Sequence, residues 1–156
     1  METIEERYVD KSGWADGPWQ KEADKVQWLD KATGFPCLIV RGPVGALCGY
    51  VGVPAEHPWY GVDYTRIDVD VHGELTYSNK CQEDGKICHT VGPGEGGDVW
   101  WLGFDCSHLG DANPKYVDTL PYNVWGEGTY RTMEYVRQEV LSLAQQAKSA
   151  SKNNTE

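Results

Sequence analysis

The sequence predicts an α+β domain, an antiparallel-rich sheet with one C-terminal amphipathic helix packed on one side. Three observations carry this expectation. Met133, Val136, Val140, Leu143 and Ala147 recur at three- and four-residue steps, which places them on a single helical stripe. Ile67-Asp68-Val69-Asp70-Val71-His72 alternates apolar and polar residues, the period of a half-exposed strand. Val99 to Asp105 is apolar on both faces until its last residue, as a strand covered on both sides must be. Strand signals followed by one helix give the α+β class.

Taken in order, residues 1–24 are polar and broken by Gly13-Trp14 and Gly17-Pro18-Trp19, so they are read as an N-terminal arm lying across the domain and anchored by its Trp residues. Val26 to Leu29 and Cys37 to Arg41 are short strands joined through the turn Asp30 to Gly34. Val44 to Val53 is apolar but carries Gly45, Gly49 and Gly52, which suggests a strand approached closely by other backbone or a loop beneath other strands. After the turn-rich stretch Ala55 to Gly61, the alternating segment 67–72 is expected to form a hairpin with Leu75 to Ser78 across Gly73-Glu74. Gly92 to Gly97 reads as a loop, and residues 109–131 as a long irregular one, a kind of segment that often carries function. The helix is expected over 132–148, with 149–156 as a disordered tail, and no linker or repeat divides residues 1–156.

With a net charge of −10 the mean field repels polyphosphates, which excludes broad duplex DNA or RNA binding. A small anion is still within reach of a few cations, and Arg41, Arg66, Arg131 and Arg137 are the candidates. Seven Trp and nine Tyr against two Phe bias the aromatic set towards rings with a polar handle, which suit ligand walls as well as cores. No apolar run is long enough for a membrane helix, and METIEERYVDKSG lacks the order of a secretion signal, so a cytoplasmic protein is expected. The odd set Cys37, Cys48, Cys81, Cys88 and Cys106 has no CxxC pair and is read as reduced thiols.

Several constellations carry possible chemistry. Asp68, Asp70 and His72 share one face of the expected strand and would suit a divalent metal, although the same alternation arises in any strand with one wet face. Asp105-Cys106-Ser107-His108 with Asp111 is a dense polar group at a strand end, where acids, bases and ligands are commonly presented. Within it a Cys106 thiolate with His108 is one reading, and a small buried thiol the other. Zinc held by some of Cys81, Cys88, His89, Cys106 and His108 is a weaker one, because Cys81 and Cys88 are spaced too widely for a zinc knuckle. Neither a P-loop nor a GxGxxG fingerprint is present, and GxSxG and HExxH are absent too.

The segments Cys48-Gly49-Tyr50-Val51-Gly52-Val53-Pro54, His72-Gly73-Glu74-Leu75-Thr76-Tyr77 and Trp100-Trp101-Leu102-Gly103-Phe104-Asp105-Cys106-Ser107-His108-Leu109-Gly110-Asp111 carry a resemblance over roughly residues 26–146. The chain resembles an uncharacterised family of proteins encoded by bacteriophages and bacteria. That resemblance implies a phage or prophage accessory protein in the bacterial cytoplasm, with counter-defence as the expected role, and it transfers no mechanism.

Three functions follow as expectations. The first is a binder that sequesters a small nucleotide-like signal, with Trp59, Trp100 and Trp101 as stacking candidates and His72, Thr76, Asp105, His108 and Asp111 as polar contacts. The second is a phosphodiesterase-like hydrolase in which His72 and His108 serve as acid and base or as metal ligands, with Asp105 orienting one of them. The third is an acidic inhibitor of a host defence protein. Loss of activity in His72→Ala and His108→Ala without loss of fold is the expected mark of the site.

Overall fold

The computed structural model describes residues 3–81, 86–90, 98–108, 110–117 and 128–153. Its strands are β1 (Ile4–Glu6), β2 (Lys25–Leu29), β3 (Pro36–Arg41), β4 (Leu47–Pro54), β5 (Tyr77–Lys80) and β6 (Val99–Asp105), followed by the helix α1 (Met133–Asn153). All neighbours are antiparallel, and the spatial order is β1-β2-β3-β4-β6-β5. The α+β class is therefore the observed one, a six-stranded sheet with α1 packed on β3 and β4.

The two faces of the sheet follow directly from the period of two. Val26 and Trp28 on β2, Cys37 and Ile39 on β3, Leu47, Val51 and Val53 on β4, and Leu102 and Phe104 on β6 meet α1 in the main core. Val136, Val140, Leu143 and Ala147 close that core from the helix side at 0% exposure, so the stripe read from the sequence is the buried one. Each of the larger side chains among them contributes about 1.5–3 kcal/mol through burial. Gly49 lets the helix come this close, since a Cβ there would stand 2.6 Å from both Phe104 and Val140. Thr132 caps α1, its hydroxyl accepting from the Tyr135 N–H at 3.2 Å.

Leu38, Tyr50, Val99 and Trp101 occupy the opposite face and form a second buried cluster, packed against Ile87 and Tyr77. Apolar residues on both faces of β6 thus have cover on both sides, as its sequence requires.

Three expectations are corrected. Residues 67–72 are not a strand of the sheet. Their alternation is real, because Ile67, Val69 and Val71 turn towards the core while Asp68 and Asp70 are exposed. The segment, however, runs beside α1, where the Gln146 amide takes the place of a neighbouring strand: the Asp70 N–H donates to Gln146 Oε1 (2.8 Å) and Gln146 Nε2 donates to the Asp70 carbonyl (2.9 Å). Consequently Leu75 to Ser78 has no hairpin partner there, and β5 begins at Tyr77 and pairs with β6. Next, α1 runs through Asn153, so residues 149–153 are helical rather than tail. Lastly, Cys81 and Cys88 are joined in a disulfide, leaving Cys37, Cys48 and Cys106 as the free thiols.

The N-terminal arm supplies β1 at the sheet edge, then a short 3-10 turn at Pro18–Gln20 that buries Trp19 against Tyr130. Trp14 is only half-buried, so Trp19 is the anchor. Asp24 holds the arm down. Its carboxylate accepts from the Tyr8 and Val9 N–H groups (2.9 Å each), pairs with Lys11 Nζ (2.7 Å) and accepts from Arg41 Nε (2.8 Å). Burial alone would raise its pKa, but Lys11, the two backbone donors and Arg41 outweigh burial and bring it to about 2. Among the described residues no helix is long and apolar enough to cross a membrane.

Of the expected loops, Gly92 to Gly97 and much of 109–131 lie outside the described residues, as do 154–156.

Candidate functional site

Three chain segments distant in sequence meet at the C-terminal end of β6. The crossing segment that follows β4 lies along α1 and delivers His72, whose backbone N–H donates to Glu139 Oε1 at 2.8 Å. The turn after β6 delivers His108 and Asp111, tied by Asp111 N–H to the His108 carbonyl at 2.9 Å. The entry to α1 delivers Arg131 and Tyr135. Backbone bonds from Ala112 N to the Thr129 carbonyl and from Thr129 N to the Gly110 carbonyl (2.9 Å each) clamp the last two segments together.

Asp111 is the centre of the cluster, its side chain only 2% exposed. Its Oδ1 accepts from Arg131 Nε at 2.8 Å, and its Oδ2 from His72 Nε2 at 2.8 Å and the His108 N–H at 3.2 Å. Burial pushes its pKa up, and the bonds from Arg131, His72 and His108 overcome that push, so it is an anion held below the usual range. His72 is held at both ring nitrogens, because Nδ1 lies 2.9 Å from the Tyr135 hydroxyl. In the tautomer that donates from Nε2 to the carboxylate, Nδ1 accepts from the Tyr135 hydroxyl.

His108 completes the group from the solvent side, with its side chain 37% exposed. The rings of His72 and His108 lie 6.1 Å apart, centroid to centroid. His108 Nδ1 is buried between carboxylates, 3.4 Å from Asp105 Oδ1 and 3.7 Å from Asp111 Oδ2, and makes no hydrogen bond among the described residues. The ring rests on Gly73, whose φ is +65° and where a Cβ would come within 2.3 Å of it. Glu74 follows at φ 66°, so two successive left-handed residues set the bend that turns His72 inward.

Asp105 and Thr76 are adjacent to the cluster and largely satisfied by each other and by the turn. Thr76 Oγ1 donates to Asp105 Oδ2 (3.1 Å), and the N–H and hydroxyl of Ser107 donate to Oδ1 (3.1 and 2.9 Å). Asp105 thus shapes the turn that presents His108.

Other candidates are placed elsewhere. Trp101 is 0% exposed beneath His89, so its ring is closed to any ligand, and the stacking role expected of it is overturned. Trp100 is half-buried, packs on the main core and donates its indole N–H to the Val62 carbonyl at 3.0 Å. Trp59 packs on the same core beside His57. Cys106 is buried, and burial foremost, then the charges of Asp111, Cys48 and Asp105, pushes its thiol pKa up, against a nucleophilic or zinc-binding thiolate. Cys81 and Cys88 are closed to zinc by their disulfide. His89 Nε2 lies 2.7 Å from the Cys37 carbonyl, on the sheet face opposite α1. Asp68 and Asp70 do not join His72, so the metal triad expected along 67–72 does not form.

Of the four cations, Arg41 is buried in the Asp24 network and Arg137 lies over the Trp28 ring at 4.8 Å. Arg131 is in the cluster. Arg66 lines a cavity of about 470 Å³ with Tyr64, Ile67, Val69, Glu74 and Leu75, which begins one residue from Gly73. Tyr135 is the site residue that the sequence reading omits. Its signal was positional: it follows Arg131 by four residues at the helix start, and the guanidinium indeed sits 5.2 Å from its ring centroid.

Compared with protein-family models, with curated proteins and with solved structures, the chain matches none.

Proposed function

We propose that the chain is a hydrolase of a small phosphate ester of nucleotide-like size, acting at the His72–Asp111–His108 cluster. The observation that carries this is one buried, ionised carboxylate binding one imidazole while a second imidazole, open to solvent, closes the group. The cluster takes a proton from water, the water oxygen bonds to phosphorus, the ester P–O bond breaks, and the leaving oxygen takes up a proton. Arg131 offers a cation beside the reacting centre, and the cavity that holds Arg66 is of a size to receive the rest of the ligand.

Hydrolysis is preferred to sequestration for a physical reason. A stacking binder needs open aromatic faces, and Trp101 is closed while Trp100 is engaged with the Val62 carbonyl and the core. In the phage accessory setting that the resemblance implies, a ligand of this class is a nucleotide signal of host defence.

The test is incubation with bis(p-nitrophenyl) phosphate and with linear and cyclic dinucleotides, read by absorbance and by mass spectrometry of products. Turnover that disappears in His72→Ala and His108→Ala, with circular dichroism unchanged, is the expected result. A dinucleotide retained intact at one equivalent would replace this reading with sequestration, and activity undiminished in both variants would remove the cluster from the chemistry.

A further inference from the structure

We infer that His72 Nε2, His108 Nδ1 and Asp111 Oδ2 form a binding site for one divalent first-row transition ion, zinc being the reference case. His72, His108 and Asp111 each offer a ligand atom within 4.8 Å of the other two. Ligands bound at about 2.0–2.2 Å with tetrahedral to octahedral angles stand about 2.8–3.6 Å apart. His72 Nε2 and Asp111 Oδ2 are separated by 2.8 Å, and His108 Nδ1 and Asp111 Oδ2 by 3.7 Å, so two edges of the polyhedron are already near their bound lengths. The remaining edge, between the two imidazoles, closes by rotation of His108, the most exposed of the three side chains.

A second, independent observation is the buried Nδ1 of His108. A polar atom hidden from water and without a hydrogen bond among the described residues is costly, and a metal is a partner that such an atom accepts without a proton. The local charge agrees. Among the described residues, Asp105, Asp111 and Glu139 lie at the cluster with the guanidinium of Arg131, a balance that favours a cation over a free anion. Two imidazoles and one carboxylate select a borderline ion over magnesium or calcium, which prefer oxygen.

The outer partners are also in place. Tyr135 holds His72 at Nδ1, so on metal binding the His72 proton moves from Nε2 to Nδ1 and is donated to the Tyr135 oxygen. Arg131 holds the Asp111 oxygen that the ion does not use. Three protein ligands would leave positions for water and for a phosphate oxygen, and the ion would lower the pKa of that water to about 7. The ion resolves how an acidic chain holds an anionic ester, since it supplies the positive charge between them. Its catalytic use rests on the hydrolytic reading above, whereas its binding does not.

The experiment is isothermal titration calorimetry of the EDTA-treated, dialysed chain of residues 1–156 with zinc chloride, with the visible absorption of a cobalt(II) adduct as a second readout. One equivalent per chain is expected, weakened at least about 100-fold in Asp111→Asn and in His108→Ala. His108→Ala keeps the test sound if Asp111→Asn fails to fold, because the His108 side chain is 37% exposed and its Nδ1 makes no hydrogen bond among the described residues. No uptake by the wild-type chain, or equal affinity in a folded His108→Ala, overturns the site. Phosphate-ester turnover that persists in EDTA overturns the catalytic use of the ion, while leaving the hydrolytic reading intact. Stoichiometric zinc without turnover does the reverse.

Discussion

Gly73→Ala separates backbone strain from site geometry. A Cβ at this position would lie 2.3 Å from His108 Cε1 and 2.5 Å from Nδ1, where ordinary contact is 3.4–4 Å. The ring must therefore retreat by about 1.1–1.7 Å, several times the roughly 0.2 Å over which metal–ligand distances are tolerated. Separately, alanine at φ +65° costs about 1–2 kcal/mol of backbone energy. That lowers the melting temperature by about 2–8 °C for a chain of this size. Gly61→Ala is the control, since Gly61 has φ +75° with nothing within 4 Å of the position that a methyl group would take. Both variants should lose similar stability, measured by thermal melts. Only Gly73→Ala should lose zinc affinity, by at least about 100-fold, together with ester turnover. If Gly73→Ala bound zinc as the wild type does, or if Gly61→Ala lost affinity equally, the packing of His108 on Gly73 would have no part in the site.

Asp24→Asn leaves the buried Lys11 without its carboxylate and Arg41 with only the longer contact to Glu22 (3.6 Å), and should destabilise by about 3–5 kcal/mol in urea titrations. The pH dependence has a fixed sign: the native pKa of about 2 is below the ordinary 3.8, so this stabilisation is fully present above about pH 4 and is lost as pH falls towards 2. It amounts to about 2 kcal/mol, and acid melts of the wild type should show a loss that Asp24→Asn lacks. Tyr135→Phe removes the outer partner of His72 Nδ1 and should weaken zinc binding about 10- to 100-fold with little change in fold, read by calorimetry and circular dichroism. Breaking the Cys81–Cys88 bridge with reductant, or in the double Ser variant, should cost about 2.5 kcal/mol by loop entropy, and equal melts with and without reductant would contradict it.

Much of the architecture was legible in the residues because burial is encoded locally. The stripe Met133 to Ala147 reports the side of the helix that is buried, and the run 99–105, apolar on both faces, reports a strand covered on both sides. The same local code misled at 67–72. Alternation reports one covered face and one wet face, and α1 can cover the apolar face while a Gln146 amide satisfies the backbone, with no strand beside it. The disulfide was missed for a related reason, since spacing alone does not say which thiols approach.

At the site, His72, His108 and Asp111 were each legible as polar residues beside a bend or a strand end, and Asp105 and Thr76 as their neighbours. Their assembly was not. His72 and Asp111 stand 39 residues apart, and Tyr135 63 from His72, so their contacts depend on where the crossing segment meets α1. Trp100 and Trp101 look alike in sequence, yet only the covering of the second face by the segment around His89 closes Trp101 while leaving its neighbour partly open. The helix with its buried stripe and the double-sided cover of 99–105 follow from patterns that a single segment carries. Tertiary structure decided which polar residues meet, because meeting requires the ends of separate elements to be brought together, and no single segment holds that information.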